Sequence, residues 1–350
     1  MIATYVRTIA RKSREAGAPP ALKIAQALAL FVVRRVGPGY FLLARFWRNT
    51  VSFGDMLGHF NAKEYRRAVN KLNPPLFQKL SQHKLAEKAL LSLRGIPTPR
   101  FLGYFHVERG GDAHGNPLRT DYELESFLRA RIGQRLCFKK AEGSGGSAFS
   151  ALDVEDQHGV LQLRNPVSGT CQSAADLAAH LRTFRSGAII EAFLVQHPEL
   201  GRLNPDSVNT LRIITLRTAA GFETVGAMLR VGRRGSQVDN TSNGGLACPI
   251  DLRTGAIREA LDLSDERRSH DHHPDSGAPL IGLCIPYWNE CMNLAANALA
   301  AVPRMDFAGI DMAITAEGPS VIELNVDPDR RFAAHLDLPH RRLMGPSGPH

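Results

Sequence analysis

The sequence predicts an α+β protein in which two sheet-bearing lobes follow a basic, helical N-terminal region. Three observations predict this fold class. Apolar residues recur at helical spacing in residues 1–75, strand-like runs surround a glycine-rich loop in 134–197, and a second set of strands flanks one helix in 198–335. We expect residues 76–133 to form a linker or the N-terminal part of the region that contains the two lobes, and residues 336–350 to form a C-terminal tail.

The N-terminal region combines apolar helices with positive charge. The 350-residue chain has a formal net charge of +9, and the run ALALFVV ends at Arg34 and Arg35 before a Gly-Pro-Gly break. Such helices suit peripheral contact of residues 1–50 with an anionic membrane; the alternative is that they pack on the protein with their basic residues solvated. We recognise no nucleic-acid-binding motif and expect no nucleic-acid partner.

The composition also bears on the compartment. No apolar stretch reaches the roughly 20 residues of a spanning helix, and the N-terminal sequence lacks the features of a secretory signal. The five cysteines include no CxxC pair, which favours reduced thiols over a disulfide framework or a structural zinc site. We therefore expect a cytoplasmic protein that is peripheral to the membrane if the N-terminal helices contact lipid.

The first lobe is predicted from a change in periodicity. Residues 81–93 have helical spacing that Gly95 ends, and the glycine-rich EGSGGS separates two strands. Ser173 is placed to cap a helix that Gly187 ends. The predicted strands of this lobe are RLCFKK, AFSALDVED, VLQLR and AIIEAFLV.

The second lobe is predicted from strands on both sides of the helix WNECMNLAANALAAV. Residues 259–280 are polar and predicted as a loop, and the tract His270-Asp271-His272-His273 within it is interpreted as solvated and not as a metal site. The predicted strands are NTLRIITLRT, GFETVGAMLRVG, GLACPI, FAGIDMAIT and SVIELNV, with the last two paired around the turn AEGP.

The most informative motif lies in this final hairpin. Alternation along a strand places Glu323 and Asn325 on one face, and the turn brings Asp311 back beside them. Two carboxylates and an amide oxygen form the hard donor set that Mg²⁺ prefers, and a cation would also offset the repulsion between the acids. The hairpin therefore predicts a magnesium site.

Two further motifs predict binding of phosphate. Lys139 ends a strand before a loop with three glycines in four positions, where backbone N–H groups can approach phosphate oxygens. The loop is not a Walker motif. Arg212 lies within the apolar strand TLRIITL and needs an anionic partner, which a transferring phosphoryl group would supply.

The order of these motifs resembles the ATP-grasp superfamily. More narrowly, QHPELGRLNPDSVNTLRIITL, VDNTSNGGL and IDMAI with IELN resemble the sugar-transfer-associated ATP-grasp family, over about residues 80–335. The resemblance implies an ATP-grasp fold, in which two α+β subdomains grip ATP: a small subdomain at 134–197 with the glycine-rich loop and a large one at 198–335 with the magnesium site.

The resemblance also implies roles for individual residues. Catalysis would depend on Arg212 and Lys139, and Glu142 would open a flexible lid. The implied nucleotide-binding residues are Lys84, Lys139, Gly143, Gly145, Gly146, Glu191, Phe193 and Leu194. The implied substrate-loop residues are Asn240, Gly244 and Gly245, and the implied Mg²⁺ ligands are Asp311, Glu323 and Asn325.

The expected activity is ligation of a carboxylate to an amine, with ATP and Mg²⁺, through an acyl phosphate. The family description implies sugar-linked or amino-acid substrates and a place in surface-polysaccharide or cell-envelope metabolism. Two alternatives stay open: a small-molecule phosphotransferase that uses the same nucleotide site, and a membrane- or glycan-associated binding protein with a vestigial ATP site.

Overall fold

The computed structural model describes residues 2–143, 149–239, 244–262, 264 and 267–345. In chain order, the helices are α1 (Ile2–Glu15), α2 (Pro20–Arg34), α3 (Pro38–Leu43), α4 (Phe53–Leu57), α5 (Ala62–Leu72), α6 (Pro75–Gln82), α7 (Lys84–Leu93), α8 (Asp121–Arg129), α9 (Ala174–Arg182), α10 (Pro198–Gly201), α11 (Trp288–Ala301), α12 (Phe332–Leu336) and α13 (His340–Leu343). The strands are β1 (Phe101–Phe105), β2 (Gly111–Asp112), β3 (Arg135–Lys140), β4 (Ser150–Gln157), β5 (Val160–Arg164), β6 (Cys171–Gln172), β7 (Ala188–Ala192), β8 (Leu211–Thr218), β9 (Gly221–Val231), β10 (Leu246–Pro249), β11 (Leu261–Asp262), β12 (Phe307–Thr315) and β13 (Gly318–Asn325).

The first lobe is an antiparallel sheet in the order β2-β1-β7-β3-β4-β5-β6, and its core includes apolar residues of α8 and α9. The capping role of Ser173 is confirmed, because its side chain accepts from the Asp176 N–H at the start of α9. The predicted start of the first lobe, at residue 134, lies too far along the chain. β1, β2 and α8 precede it in the chain, yet both strands pair within this sheet, because pairing joins segments that are distant in sequence.

The second lobe is an antiparallel sheet in the order β11-β10-β9-β8-β12-β13. Alternate residues of its strands pack with α11 in one core. The prediction of a loop over residues 259–280 is wrong in part, because β11 pairs with β10 at the sheet edge. In the same stretch His273 is buried, and its Nε2 lies 2.9 Å from the Gly232 carbonyl oxygen. This contact attaches a polar segment to the second lobe, which its composition did not predict.

The other face of the second sheet divides into an apolar end and a polar end. At the apolar end, strand residues pack against α5, α12 and α13 in a further core. The predicted C-terminal tail is therefore wrong as far as residue 345, since His340 and Leu343 are fully buried. Short helices such as α12 and α13 are stable because they pack on an apolar face of the sheet, and their own sequence does not specify that face. The polar end contains the candidate site.

The N-terminal region is helical, as predicted, and it is joined to the second lobe by polar contacts. Both Nη atoms of Arg45 donate to Glu259, each at 2.6 Å. Buried Asn73, just after α5, donates to the carbonyl oxygens of Phe307 and Val326 and accepts from the N–H of Asp306 and Phe307. Among the described residues, no helix is long and apolar enough to cross a membrane.

Candidate active site

A buried ionic cluster lies where α7 packs against the first sheet. Register pairs Glu191 on β7 with Cys137 on β3, and Lys139 follows two residues later on the same face of β3. The Glu191 carboxylate lies 2.7 Å from Lys139 Nζ and 2.7 Å from Lys88 Nζ of α7. The Glu191 side chain is 3% exposed, so two ammonium groups share one carboxylate away from water.

Burial and charge act in opposite directions on this cluster. Burial disfavours the ionised form of Glu191, but Lys139 and Lys88 outweigh it and lower the pKa of the carboxyl group. Burial likewise opposes the charge on Lys139, yet Glu191 raises the pKa of that amine. Burial prevails at Lys88 and lowers its pKa. The cluster thus carries one more positive than negative charge and would favour an additional anion.

Lys84 connects this cluster to the second lobe. Its Nζ lies 3.4 Å from Glu323 Oε2 on β13 and donates to the Gly143 carbonyl oxygen at 2.9 Å. The Lys84 backbone N–H also donates to Ala141, directly after β3. One side chain therefore contacts both the start of the glycine-rich loop and the final hairpin.

Glu87 forms a second connection between α7 and β13. Its Oε1 accepts from the Leu324 N–H at 3.2 Å, and its Oε2 contacts Ser81 Oγ, which in turn donates to the Leu324 carbonyl oxygen at 3.1 Å. Burial raises the pKa of Glu87 to about 8, with Glu323 adding to the shift. A neutral carboxyl group completes this ring of hydrogen bonds by donating to Ser81.

Two arginines surround Asp311 at the polar end of the second sheet. Arg212 on β8 lies opposite Asp311 on β12 and makes a bidentate contact at 2.6 and 2.7 Å. Arg230 on β9 reaches Asp311 Oδ2 at 3.1 Å and lies 3.5 Å from Asp239. Burial opposes the charge on Arg212, but Asp311 outweighs it and raises the pKa. Asp311 is thus the anionic partner that Arg212 needed.

The predicted metal ligands do come together on one face. Asp311 lies opposite Glu323 in the hairpin register, and Asn325 Nδ2 donates to Asp311 Oδ2 at 3.2 Å. The donor set fits Mg²⁺: Glu323 is partly exposed, and Asn325 turns its amide nitrogen, not its oxygen, toward Asp311. Asp311 itself is 2% exposed and bound by both arginines, so it would reach a cation only if an arginine moved.

The segment after β7 links the two lobes. The Phe193 N–H donates to Arg135 at the start of β3, and the His197 N–H donates to Ile314 of β12 at 2.7 Å. Phe193 and Leu194 are half-buried between these two anchors, and the Arg135 guanidinium lies 5.1 Å from the Phe193 ring centre. Two sheets with a connecting segment between them form the architecture that the sequence predicts.

The family model for sugar-transfer-associated ATP-grasp proteins matches residues 63–336, more than three quarters of the chain. The chain belongs to this family. It therefore has the ATP-grasp fold, and its α+β lobes are the two halves of that fold. A comparison with curated protein sequences gives no match.

Several solved ATP-grasp structures are similar to this protein at low identity. L-amino acid ligase from Bacillus licheniformis is 13% identical with a TM-score of 0.38, over 71% of this chain and 41% of the ligase. Carboxyaminoimidazole ribonucleotide synthase from Aspergillus clavatus, solved with ATP, is 12% identical with a TM-score of 0.44, over 78% and 54%. D-cycloserine synthetase is 12% identical with a TM-score of 0.43, over 86% and 91%. This chain spans about half the length of each of the first two proteins.

The glycine-loop residues of this ATP-grasp protein are partly described. Gly143 has φ 134°, a conformation that favours glycine, whereas Gly145 and Gly146 lie outside the described residues. Of the predicted substrate-loop residues, Asn240 also lies outside them. Gly244 and Gly245 directly precede β10, which pairs with the Arg230 strand β9. Their predicted roles stay predictions.

Three residues of the site were missed by sequence reasoning, although two had a signal. Lys88 follows Lys84 by one helical turn, so both lie on the same face of α7. Arg230 is a charged residue in an apolar strand, the argument already applied to Arg212. Glu87 gave no such signal, since a glutamate on an amphipathic helix is normally exposed.

Two side chains of the histidine tract contact groups outside the candidate site. His273 contacts Gly232, and His270 Nε2 lies 3.4 Å from Asp262. Within the part of the chain that the structure describes, no three His, Cys, Asp or Glu side chains group as metal ligands. The candidate cation site therefore depends on the amide of Asn325 as well as on carboxylates.

Proposed function

We propose that this ATP-grasp protein is an ADP-forming carboxylate–amine ligase that uses ATP and Mg²⁺. The observation that carries the proposal is the contact of Lys84 with Glu323, which joins a lysine-rich cluster on one lobe to a magnesium-type donor set on the other. A triphosphate placed between them would meet cations on one side and metal-binding oxygens on the other. This arrangement suits phosphoryl transfer better than simple binding.

The nucleotide would be held mainly by the first lobe. Lys84, Lys88 and Lys139 supply three ammonium groups, of which Glu191 contacts two and Glu323 contacts Lys84, so one positive charge is left for phosphate oxygens. The adenine edge would bind to backbone groups of the linking segment at Phe193 and Leu194 other than the Phe193 N–H, which donates to the Arg135 carbonyl oxygen. Gly143 begins the loop that would close over the phosphates and exclude water.

Magnesium would be held by Glu323 and Asn325, with Asp311 as a further ligand or as an anchor for the arginines. When bound, it would neutralise phosphate charge and polarise the transferring group. Arg212 and Arg230 are fixed by Asp311 and are each partly exposed, so they present oriented positive charge to an anionic acyl group.

The reaction then follows two steps. A carboxylate oxygen of the acid attacks the γ-phosphorus of ATP, the bond to the β–γ bridging oxygen breaks, and ADP leaves an acyl phosphate. The nitrogen of an amine attacks the acyl carbon, inorganic phosphate departs, and loss of a proton from nitrogen gives the amide. The family description makes sugar-linked or amino-acid substrates, and surface-polysaccharide or envelope metabolism, the classes to test first.

A product assay tests this proposal. The full chain is incubated with ATP, Mg²⁺ and pooled amino acids and amino sugars, beside Glu323→Ala and the control Glu290→Ala, an exposed residue of α11. We expect ADP and free phosphate that depend on an acid and an amine together, lost in Glu323→Ala and kept in Glu290→Ala. A phosphorylated small molecule without phosphate release would instead identify a phosphotransferase. ATP binding unaccompanied by any turnover would refute the ligase.

A further inference from the structure

Helix α2 exposes apolar side chains to solvent, the reverse of what is usual for a surface helix. Of its two charged residues, Lys23 is buried and Arg34 is partly buried beside Glu64, whereas its exposed residues are all apolar. The exposed positions, which recur along one side of the helix, are Ala21, Leu22, Ala25, Leu28, Phe31, Val32 and Val33. Leu28, Phe31 and Val32 are 63%, 55% and 70% exposed. A continuous apolar face of this kind normally marks a contact with another phase or molecule.

Helix α1 packs beside α2 and extends this surface. Ile2 and Val6 are exposed on α1, and so are the basic residues Arg7 and Arg14. Arg35 is exposed at the C-terminal end of α2. Exposed apolar side chains and exposed guanidinium groups therefore occur together on this pair of helices.

The sequence concentrates its positive charge in the same place. Nine of the 43 Lys and Arg residues, but one of the 34 Asp and Glu residues, lie within the first 50 positions. That segment thus accounts for most of the net charge of +9. A partner that covers the face must accept both apolar side chains and arginines, which requires an anionic surface with an apolar interior.

We propose that the exposed face of α2, with the arginines of α1, docks this protein on an anionic lipid bilayer. The 15 residues of α2 extend about 22 Å, less than the roughly 30 Å hydrocarbon thickness, so the helix would lie in the plane of the interface. A symmetric contact with a second copy is disfavoured, because it would bring together the positively charged N-terminal segments of two copies.

Vesicle binding tests the docking surface in the full chain. Sedimentation with phosphatidylcholine vesicles is compared with vesicles that also contain about 30 mol% phosphatidylglycerol, at low and about 1 M salt. The variant Leu28→Gln/Phe31→Gln/Val32→Gln removes the apolar face and keeps helix propensity. The variant Arg7→Gln/Arg14→Gln removes charge alone. Leu76→Gln, at an 82% exposed position on α6, is the matched control.

We expect binding to the anionic vesicles that weakens at high salt. The triple variant should lose at least about 100-fold in partition coefficient, since each side chain contributes on the order of tenfold. The arginine variant should lose about tenfold or more, and Leu76→Gln should match the wild type. Circular dichroism verifies that each variant is folded.

Two outcomes would overturn the proposal. A wild-type chain that stays in the supernatant with anionic vesicles, or binds them equally after the triple substitution, shows that this face does not dock on lipid. A wild-type dimer in light scattering that the triple variant converts to a monomer shows that a second copy covers the face. Neither readout involves ATP, so both are independent of the ligase proposal.

Discussion

Glu87 provides a sharp test of the contact between α7 and β13. Its carboxyl group is fully buried, accepts from the Leu324 N–H and adjoins Ser81. The substitution Glu87→Gln keeps the shape and supplies the same hydrogen bonds, because the amide oxygen accepts from Leu324 and the amide nitrogen donates to Ser81. The change therefore removes the ionisation of residue 87 with little effect on packing.

The magnitude follows from the shifted pKa. Burial raises the pKa of Glu87 from its usual 4.5 to about 8, so the folded state binds this proton more tightly than the unfolded state. The contribution to stability is complete below pH 4.5 and is lost as pH rises toward 8. At about 1.36 kcal/mol per unit, the wild type should lose on the order of 4 kcal/mol through this group between pH 5 and pH 8.

Urea unfolding at pH 5 and pH 8 measures the effect, with tryptophan fluorescence as the signal; Trp288 is buried in the core of the second lobe. We expect Glu87→Gln to equal the wild type within about 1 kcal/mol at pH 5 and to exceed it by about 3–4 kcal/mol at pH 8. Other titrating groups are common to both proteins and cancel. Glu290→Gln, at an exposed position of α11, should follow the wild type. An equal pH dependence in Glu87→Gln and wild type would refute the argument.

Two more substitutions test the site and its support. Lys88→Met should weaken ATP binding at least about tenfold in calorimetry, because the cluster loses a cation near the phosphates. Lys79→Met, at an exposed position, should leave the affinity for ATP unchanged. Unchanged affinity in Lys88→Met would contradict the role of Lys88 in binding phosphate. Asn73→Ala should lower the free energy of unfolding by at least about 3 kcal/mol, because buried backbone groups of Phe307 and Val326 lose their partner. Exposed Asn70→Ala is its control, and an equal small loss in both would contradict that account.

The final hairpin was predictable because its information is local. Strand alternation puts Glu323 and Asn325 on one face, and the short turn makes their strand the neighbour of the Asp311 strand, as predicted. The pairing of Asp311 with Glu323 also depends on a register shift between Asp311 and Met312, which the sequence pattern did not indicate. The cap at Ser173 was predictable for the same reason, since a cap involves groups within one turn. The family followed from the order of such local motifs along the chain.

Partners across the fold were not predictable in this way. The sequence indicated that Arg212 needs an anion but gave no means to choose Asp311, which lies 99 positions away and pairs through β8 and β12. The resemblance implied that Glu191 binds nucleotide, whereas its burial between Lys88 and Lys139 depends on α7 packing against the first sheet. Such pairings depend on which elements become neighbours.

Periodicity and motif order in the sequence specify the α+β class, the helical N-terminal region and the residue types of the candidate site. Tertiary packing specifies which faces are covered: α12 and α13 pack on the second lobe, Glu87 is buried, and the apolar side of α2 is exposed. The reason is that the periodicity of a helix or strand shows which of its faces is apolar but does not show which element packs against that face. Burial, and with it the charge state of each group, is set by packing between distant segments.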